Sequence, residues 1–449
     1  MPEMDRMSLE EIEIYQAKKL VKQLRYCYDN SSFYKKKFDE IGAKPEDITT
    51  IDALRKLPIF MTKDTERRLA KESLEKYGHP FGIHLCADVK KVYLTGTTSG
   101  TTGTPTFTYT FTKKDLNFIG KNLGHRFKFI GVSPGERVLF FFALGVYATT
   151  MTLWGLRFIG ALPIDIDARA GTDILLQFAQ LTKPNYLACT PSLAEYLIDK
   201  APKVINKDVS SFNLKGLLLT GEIGIAIPEI KKKLEDAYKC KTYDYWAPAG
   251  NALGVSCGFD EYQGLHALSP NVCTSYQDLV DPITKEPIEI KDGAIGEMVH
   301  TSLEREACPA IKYAYGDVVE IFTSECPGCG FKGIRAKIIG RSDDMLIVKG
   351  VNVYPAAIKK IVTDFRPKVT GEMRIVLSDP PPRVTPPLKL KIEYGIGVEK
   401  SQLESLAKEI AEELHDKIKI NPDVTLVPPG TFEKSTHKTP IFEKLYNKK

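Results

Sequence analysis

The chain lacks a strong charge of either sign. Its 62 Lys and Arg face 57 Asp and Glu, a net charge of +5 spread over 449 residues. So diffuse an excess argues against a nucleic-acid or membrane-surface partner and leaves small anionic molecules open. A secretory leader is lacking too, because the opening "MPEMDRMSLEEIEIYQ" is acidic and polar. Uncharged runs of membrane-spanning length are scarce. One exists, Val138–Leu156, "VLFFFALGVYATTMTLWGL". Its threonines and glycines suit lipid poorly, and it reads as a strand, a turn at Gly145 and a helix running on through Arg157 and Phe158. No internal repeat is visible. The 9 Cys are odd in number and irregular in spacing, which excludes a disulfide framework and predicts reduced thiols in a cytoplasmic protein.

What is present is ordinary globular material, 43% hydrophobic and long enough for several domains. The first ~75 residues read as helices. "SLEEIEIYQAKKLVKQLRYCYDN" carries an apolar stripe at helical spacing, and Ser8 with Glu11 makes a capping box. From Val138 to Thr242 the short apolar runs "VLFFFAL", "ALPIDI", "YLACT" and "GLLLTG" each lead into a helical pattern. That alternation is the α/β signature. Glycine-punctuated β segments follow from Asp278. After "GRSDDM" come about a hundred residues of βαβ character: "MLIVKGVNVYPAAIKKIV", "MRIVLSD", "LKLKIEYG" and the helix "KSQLESLAKEIAEELHDKIK". The predicted division is therefore residues 1–340 and 341–449.

Between two β-like flanks lies "TSGTTGTPT", Thr98–Thr106. Gly100 and Gly103 free backbone N–H groups to face outward, and Ser99, Thr101 and Thr102 add hydroxyl donors. Such a loop is either a phosphate nest or a plain turn between strands. A different signal is "CPGCG", where Cys326 and Cys329 have zinc-knuckle spacing. "CGFDEYQGLH" upstream offers Cys257 and His266 as the other half, which would complete a closed, structural Zn²⁺ site; the alternative is four unrelated side chains.

"TSGTTGTPT", then "GEMVHTSL…IKYAYGD", then "GRSDDMLIVKGVNVYP" occur in this order. Together they resemble the adenylate-forming superfamily of acyl-CoA synthetases, in its phenylacetate–CoA ligase-like branch. The likeness runs almost end to end, taking in "SSFYKKKF…LRKLPIFMTK" and the "TPS" at Thr190–Ser192. It implies an α/β fold: a large N-terminal domain of α/β subdomains and a β-rich part, then a small mobile α+β domain hinged near Asp343. It also implies the activity. ATP and a carboxylic acid form an acyl-adenylate, and coenzyme A then takes the acyl group.

The resemblance assigns roles as well. Ser99, Gly100, Thr101, Thr102 and Gly103 would wrap the phosphates. Relatives often have Gly-Lys-Pro where this chain has Gly103-Thr104-Pro105, so backbone and hydroxyl donors do more of the work. Gly221, Glu222, Tyr243, Asp244 and Tyr245 would frame adenine and acyl-phosphate. Asp317 would accept from both ribose hydroxyls, and Arg341 would reach ribose or phosphate. Lys438, near Lys434 in "GTFEKSTHKTPIFEK", would be catalytic. Tyr147, Trp154, Thr190, Trp246 and Ala247 would line the acyl pocket, which suits a flat aromatic acid. One departure matters. The Glu that helps hold Mg²⁺ in relatives is replaced by Ala247 in "YDYWAPAG". Another acid or water then substitutes, or the chain binds nucleotide without turnover. A carrier-protein thiol or an amine stays open as acyl acceptor, and so does a homodimer.

Overall fold

The computed structural model describes residues 6–98, 106–144, 149–222, 224–247, 254–349, 351–432 and 440–446. The chain forms two compact units, one of Met1–Ala226 with Leu234–Ile338 and one of Ile227–Lys233 with Ile339–Lys449.

The larger unit opens on the helices Leu9–Asn30, Ser32–Glu40, Ile51–Arg55 and Lys63–Tyr77. The first begins on the expected capping box: Glu11 N donates to Ser8 Oγ at 3.3 Å, and Ser8 N to Glu11 Oε2 at 2.7 Å. Its buried side includes Leu20, Leu24 and Cys27, spaced three and four apart, which pack in one cluster with Phe38, Ile311 and Tyr313. Between the third and fourth helices, Met61–Thr62 joins a sheet by pairing parallel with Tyr313 and Ala314.

That sheet has 13 strands among the described residues. Five run parallel, in the order Leu162–Asp167, Arg137–Phe142, Tyr186–Cys189, Gly216–Leu219 and Lys241–Trp246. "YLAC" and "GLLL" are buried at every position, as expected of central strands covered on both faces. The sheet then turns antiparallel through Gly254–Val255 and Leu265–His266 to Arg335–Arg341. It continues through Tyr313–Phe322, Ile295–His300, Leu279–Val280 and Pro287–Ile288. A separate hairpin pairs Val92–Thr98 with Thr106–Thr112. The long apolar run resolves into the strand Arg137–Phe142 and the helix Thr149–Phe158; Gly145 lies outside the described residues. No described helix is long and apolar enough to cross a membrane.

The smaller unit has a four-stranded sheet in the order Pro422–Val427, Leu388–Tyr394, Val369–Leu377 and Phe442–Lys444. The helices Pro355–Thr363 and Leu403–Ile418 share its core. Leu406, Ile410 and Leu414 recur every four residues on the second helix and pack with Ile375, Leu390 and Ile392. Both units are mixed α/β, as the residue patterns predict.

Candidate functional site

Parallel strands that are neighbours in a sheet deliver their carboxyl ends to one edge, where ligands of open α/β sheets collect. Here Cys189 pairs with Leu219 and Leu219 with Asp244. The residues that follow are Thr190, Gly221-Glu222 and Tyr245-Trp246-Ala247, so these predicted residues share one edge. Thr190 caps the helix Pro191–Ile205 by accepting from Leu193 N at 3.3 Å. Ser192 in that helix donates to Glu222 Oε1 at 2.6 Å, which ties two strand ends together. Gly221 has φ +92°, a left-handed turn that a side chain would strain.

The aromatic strand divides its side chains between two faces. The Tyr243 ring fits between two glycines: a Cβ at Gly216 would lie 2.8 Å from it and one at Gly258 3.1 Å. Tyr245 is buried in the core, edge-on to Phe127 with ring centres 5.7 Å apart. Both rings therefore serve packing, and what they offer a ligand is limited to the edges and backbone left over. Asp244 points the other way. Its carboxylate accepts from Tyr262 Oη at 2.9 Å, and its backbone N–H donates to Ser256 Oγ at 2.8 Å. Burial pushes this carboxyl up to about 7. Trp246 and Ala247 are partly buried against the same core as Trp154. The Trp154 indole covers Gly120, where a Cβ would sit 2.4 Å from its Cδ1.

Asp317 is buried on Tyr313–Phe322, and its charge helps push the nearby Tyr109 phenol up, burial being the larger cause. The Tyr109 phenol donates to the Ala247 carbonyl at 3.4 Å. Tyr109 thus connects Asp317 with the aromatic strand end. The sequence reading missed it, although the alternation in "TFTYTFT" marks Tyr109 and Phe111 as one face of a strand. It also missed Glu66, which accepts from Thr108 Oγ1 at 2.7 Å and from Tyr313 Oη at 2.9 Å. In the smaller unit, Arg341 and Asp343 form an ion pair with each other at 2.8 Å. Ser99, Gly100, Thr101, Thr102, Gly103, Tyr147, Lys434 and Lys438 lie outside the described residues.

The second constellation is complete. The ligand atoms of Cys257, His266, Cys326 and Cys329 all lie within 4.8 Å of one another. Cys257 Sγ is 3.9 Å from Cys326 Sγ, and Cys329 Sγ is 3.2 Å from His266 Nε2. Tetrahedral zinc with such ligands separates them by about 3.5–3.8 Å. His266 Nδ1 lies 3.1 Å from Val255 O, and donation there leaves Nε2 as the lone-pair nitrogen facing the sulfurs. The Cys329 thiol donates to Cys257 and, with the His266 ring, draws that thiol below its ordinary value. Three sulfurs and a nitrogen, mostly buried, suit zinc and leave no position for a substrate.

Three comparisons with known proteins bear on this geometry. Residues 350–443 match the family model of the AMP-binding enzyme C-terminal domain. Over 454 aligned residues the chain is 27% identical to a phenylacetate-coenzyme A ligase of Thermus thermophilus, covering 97% of this chain and 96% of that protein. A phenylacetate-coenzyme A ligase of Pseudomonas putida is 25% identical over 445 residues, covering 97% and 94%. Among solved structures, a 2-hydroxyisobutyryl-CoA ligase in its postadenylation state with 2-HIB-AMP superimposes with a TM-score of 0.86. It is 24% identical, covers 99% of this chain and 91% of its own, and speaks for the fold alone.

Proposed function

We propose that this chain is an AMP-forming acid–CoA ligase of the adenylate-forming superfamily, in its phenylacetate–CoA ligase-like branch, and that the acid it activates is aromatic. Support comes from Trp246, partly buried next to Ala247 at the end of its strand, and from Trp154, partly buried against the same apolar core. The two relatives named for phenylacetate point the same way.

In this reading a carboxylate oxygen attacks the α-phosphorus of ATP and pyrophosphate leaves. The thiol of coenzyme A then attacks the acyl carbon and AMP leaves. The first step brings two anions together, so donors aimed at the phosphates matter most. Ser99 to Gly103 supply them at the β- and γ-phosphates. Asp317 takes the ribose hydroxyls, and Gly221-Glu222 with Tyr243 to Tyr245 flank adenine and acyl-phosphate. Lys438 brings an ammonium to the forming acyl-phosphate, and rotation at Asp343 separates the two steps. The protein works in the cytoplasm.

Mg²⁺ would neutralise phosphate charge in the first step. Ala247 offers it no ligand, and two other carboxylates stand at the same edge. Asp244, raised to about 7 by burial, is half protonated near neutral pH. Glu222 is the better anionic donor. Cys257, His266, Cys326 and Cys329 would hold a structural Zn²⁺, which would fasten two segments of the β-rich part.

The observation that carries the proposal is the gathering of Thr190, Glu222 and Ala247 at adjacent strand ends, with Tyr109 joining Ala247 to the neighbourhood of Asp317. Pyrophosphate release across a panel of aryl and aliphatic acids tests it, with the thioester identified by mass spectrometry. Release greatest with an arylacetate or benzoate is the expected result. Preference for a small aliphatic acid would overturn the aromatic assignment. No release with any acid would favour a nucleotide-binding chain without turnover.

A further inference from the structure

Tyr109 lies on the strand Thr106–Thr112 of the larger unit, and its neighbours in that strand are held by two buried charges. Thr108 Oγ1 donates to Glu66 Oε2 at 2.7 Å. The same oxygen accepts from Tyr313 Oη at 2.9 Å, so one carboxylate joins this strand to Tyr313–Phe322, the strand that carries Asp317. Arg305 Nη2 donates to the carbonyl of Thr108 at 2.9 Å and to that of Thr110 at 3.2 Å, the residues before and after Tyr109. Its guanidinium lies 4.6 Å from the centre of the Phe111 ring. Glu66 and Arg305 are each 3% exposed.

Buried ionised groups are costly to desolvate, and apolar side chains of like volume often stabilise as well. What Glu66 and Arg305 give this strand is direction, since each bond runs from one named donor to one named acceptor. The group so directed is a phenol. Tyr109 Oη donates to the Ala247 carbonyl at 3.4 Å and accepts from the hydroxyl of Tyr315, two residues before Asp317. Burial pushes the Tyr109 phenol up to about 12, with the charges of Asp317 and Glu66 adding to it, so at neutral pH it keeps the proton it donates.

We propose that Tyr109 is a positioning residue for nucleotide binding: it holds the end of the aromatic strand at a set distance from Asp317, so that adenine and ribose are gripped together. The proposal rests on the readings of Asp317 and of the aromatic strand given above. Tyr109 acts through the spacing of those two groups and is not itself placed against the ligand. A ligand gripped at two points loses part of the second grip when their spacing slackens. At 3.4 Å the bond to Ala247 is long, so the effect is a several-fold one.

The test is calorimetric titration of the full chain with AMP and with 2′-deoxy-AMP, probes that need no knowledge of the acid. The parent should favour AMP by roughly tenfold or more, as one hydrogen bond to a charged group implies. Tyr109→Phe keeps the ring and removes the hydroxyl. It should weaken AMP roughly fivefold and lower the preference for AMP to about threefold or less, because its effect is coupled to the ribose contact. Asp317→Ala should abolish the preference. In that background Tyr109→Phe should weaken AMP by less than it does alone. Tyr109→Met refills the space without a donor and serves if the phenylalanine variant does not fold. A merely structural tyrosine would weaken both nucleotides alike, and a preference equal to the parent's therefore overturns the proposal. So does unchanged AMP binding in Tyr109→Phe beside a lost preference in Asp317→Ala, a result that leaves the Asp317 reading standing. No preference for AMP in the parent would overturn the Asp317 reading and the proposal with it.

Discussion

Arg341 and Asp343 grip each other through two hydrogen bonds, Nε to Oδ1 at 2.8 Å and Nη2 to Oδ2 at 3.0 Å. One was expected at the nucleotide and the other at a hinge; in the proposed reading, an Arg341 that turned to a ligand would let go of Asp343. The Asp343 side chain is 39% exposed, and an ion pair so placed contributes at most about 1 kcal/mol. Proline fixes φ near −65° and resists rotation at its own residue. Asp343→Pro should therefore leave acyl-AMP formation largely intact and slow thioester formation from acyl-AMP. Equal rates for both steps in variant and parent would remove Asp343 as the pivot.

Purified without chelators, the protein should carry about one zinc per chain by elemental analysis. Cys326 is 2% exposed and its sulfur sits with two other sulfurs and an imidazole. Cys326→Ser should lower stability by about 3 kcal/mol or more, because the energy of structural zinc binding is folding energy. Metal-free protein with an unshifted thermal midpoint in the variant would end the zinc reading.

Asp244 sets a pH dependence whose sign is fixed. Its folded-state pKa, about 7, lies above the ordinary value of 3.8. Between those values the folded chain holds a proton that the unfolded chain has released. Its contribution is full below about pH 4 and is lost as pH rises through about 7. Asp278, pushed to about 6 by burial despite its bond to Lys312, adds a slope of the same sign. Asp244→Asn keeps an acceptor for Tyr262 and should flatten, without abolishing, the decline in thermal midpoint from pH 4 to 8. A decline identical to the parent's would show that Asp244 ionises as an ordinary carboxylate.

Thr101→Val and Thr102→Val each remove one hydroxyl donor from the loop assigned to the phosphates. A hydrogen bond to a charged group contributes ≈ 1.5–3 kcal/mol, so kcat/KM for ATP should fall roughly ten- to hundredfold with the thermal midpoint unmoved. Unaltered ATP kinetics in both variants would take the phosphates away from this loop.

The strands of the parallel sheet were legible because their runs are short, apolar and followed by helical periodicity, as in "YLACT" ahead of Pro191–Ile205. The capping box at Ser8 and Glu11 was legible for a similar reason, since its partners are three residues apart. Contacts across the fold were not. Nothing local to Tyr243 says that Gly216 and Gly258 leave room for its ring. Nothing near Phe432 says that Arg374 and Glu393 await it from two other strands. The cysteine cluster stands between these cases. Cys326 and Cys329 announce themselves by spacing, whereas Cys257 and His266 belong with them only once the antiparallel strands bring residues 255–266 beside residues 326–336.

Met61–Thr62 is two residues long, yet it sets the order in which the chain can be finished. Its partners, Tyr313 and Ala314, come about 250 residues later, and the Phe60 amide waits for the carbonyl of Lys312. Leu20, Phe38 and Phe60 share their cluster with Ile311 and Tyr313. On a ribosome adding ≈ 5–20 residues per second, that cluster stays open for roughly 12–50 s after the helices emerge. Over that interval the nascent helices present an apolar face without its lid. A chain terminated before residue 311 would keep that face for good, and it is the species chaperones or proteases should recognise first.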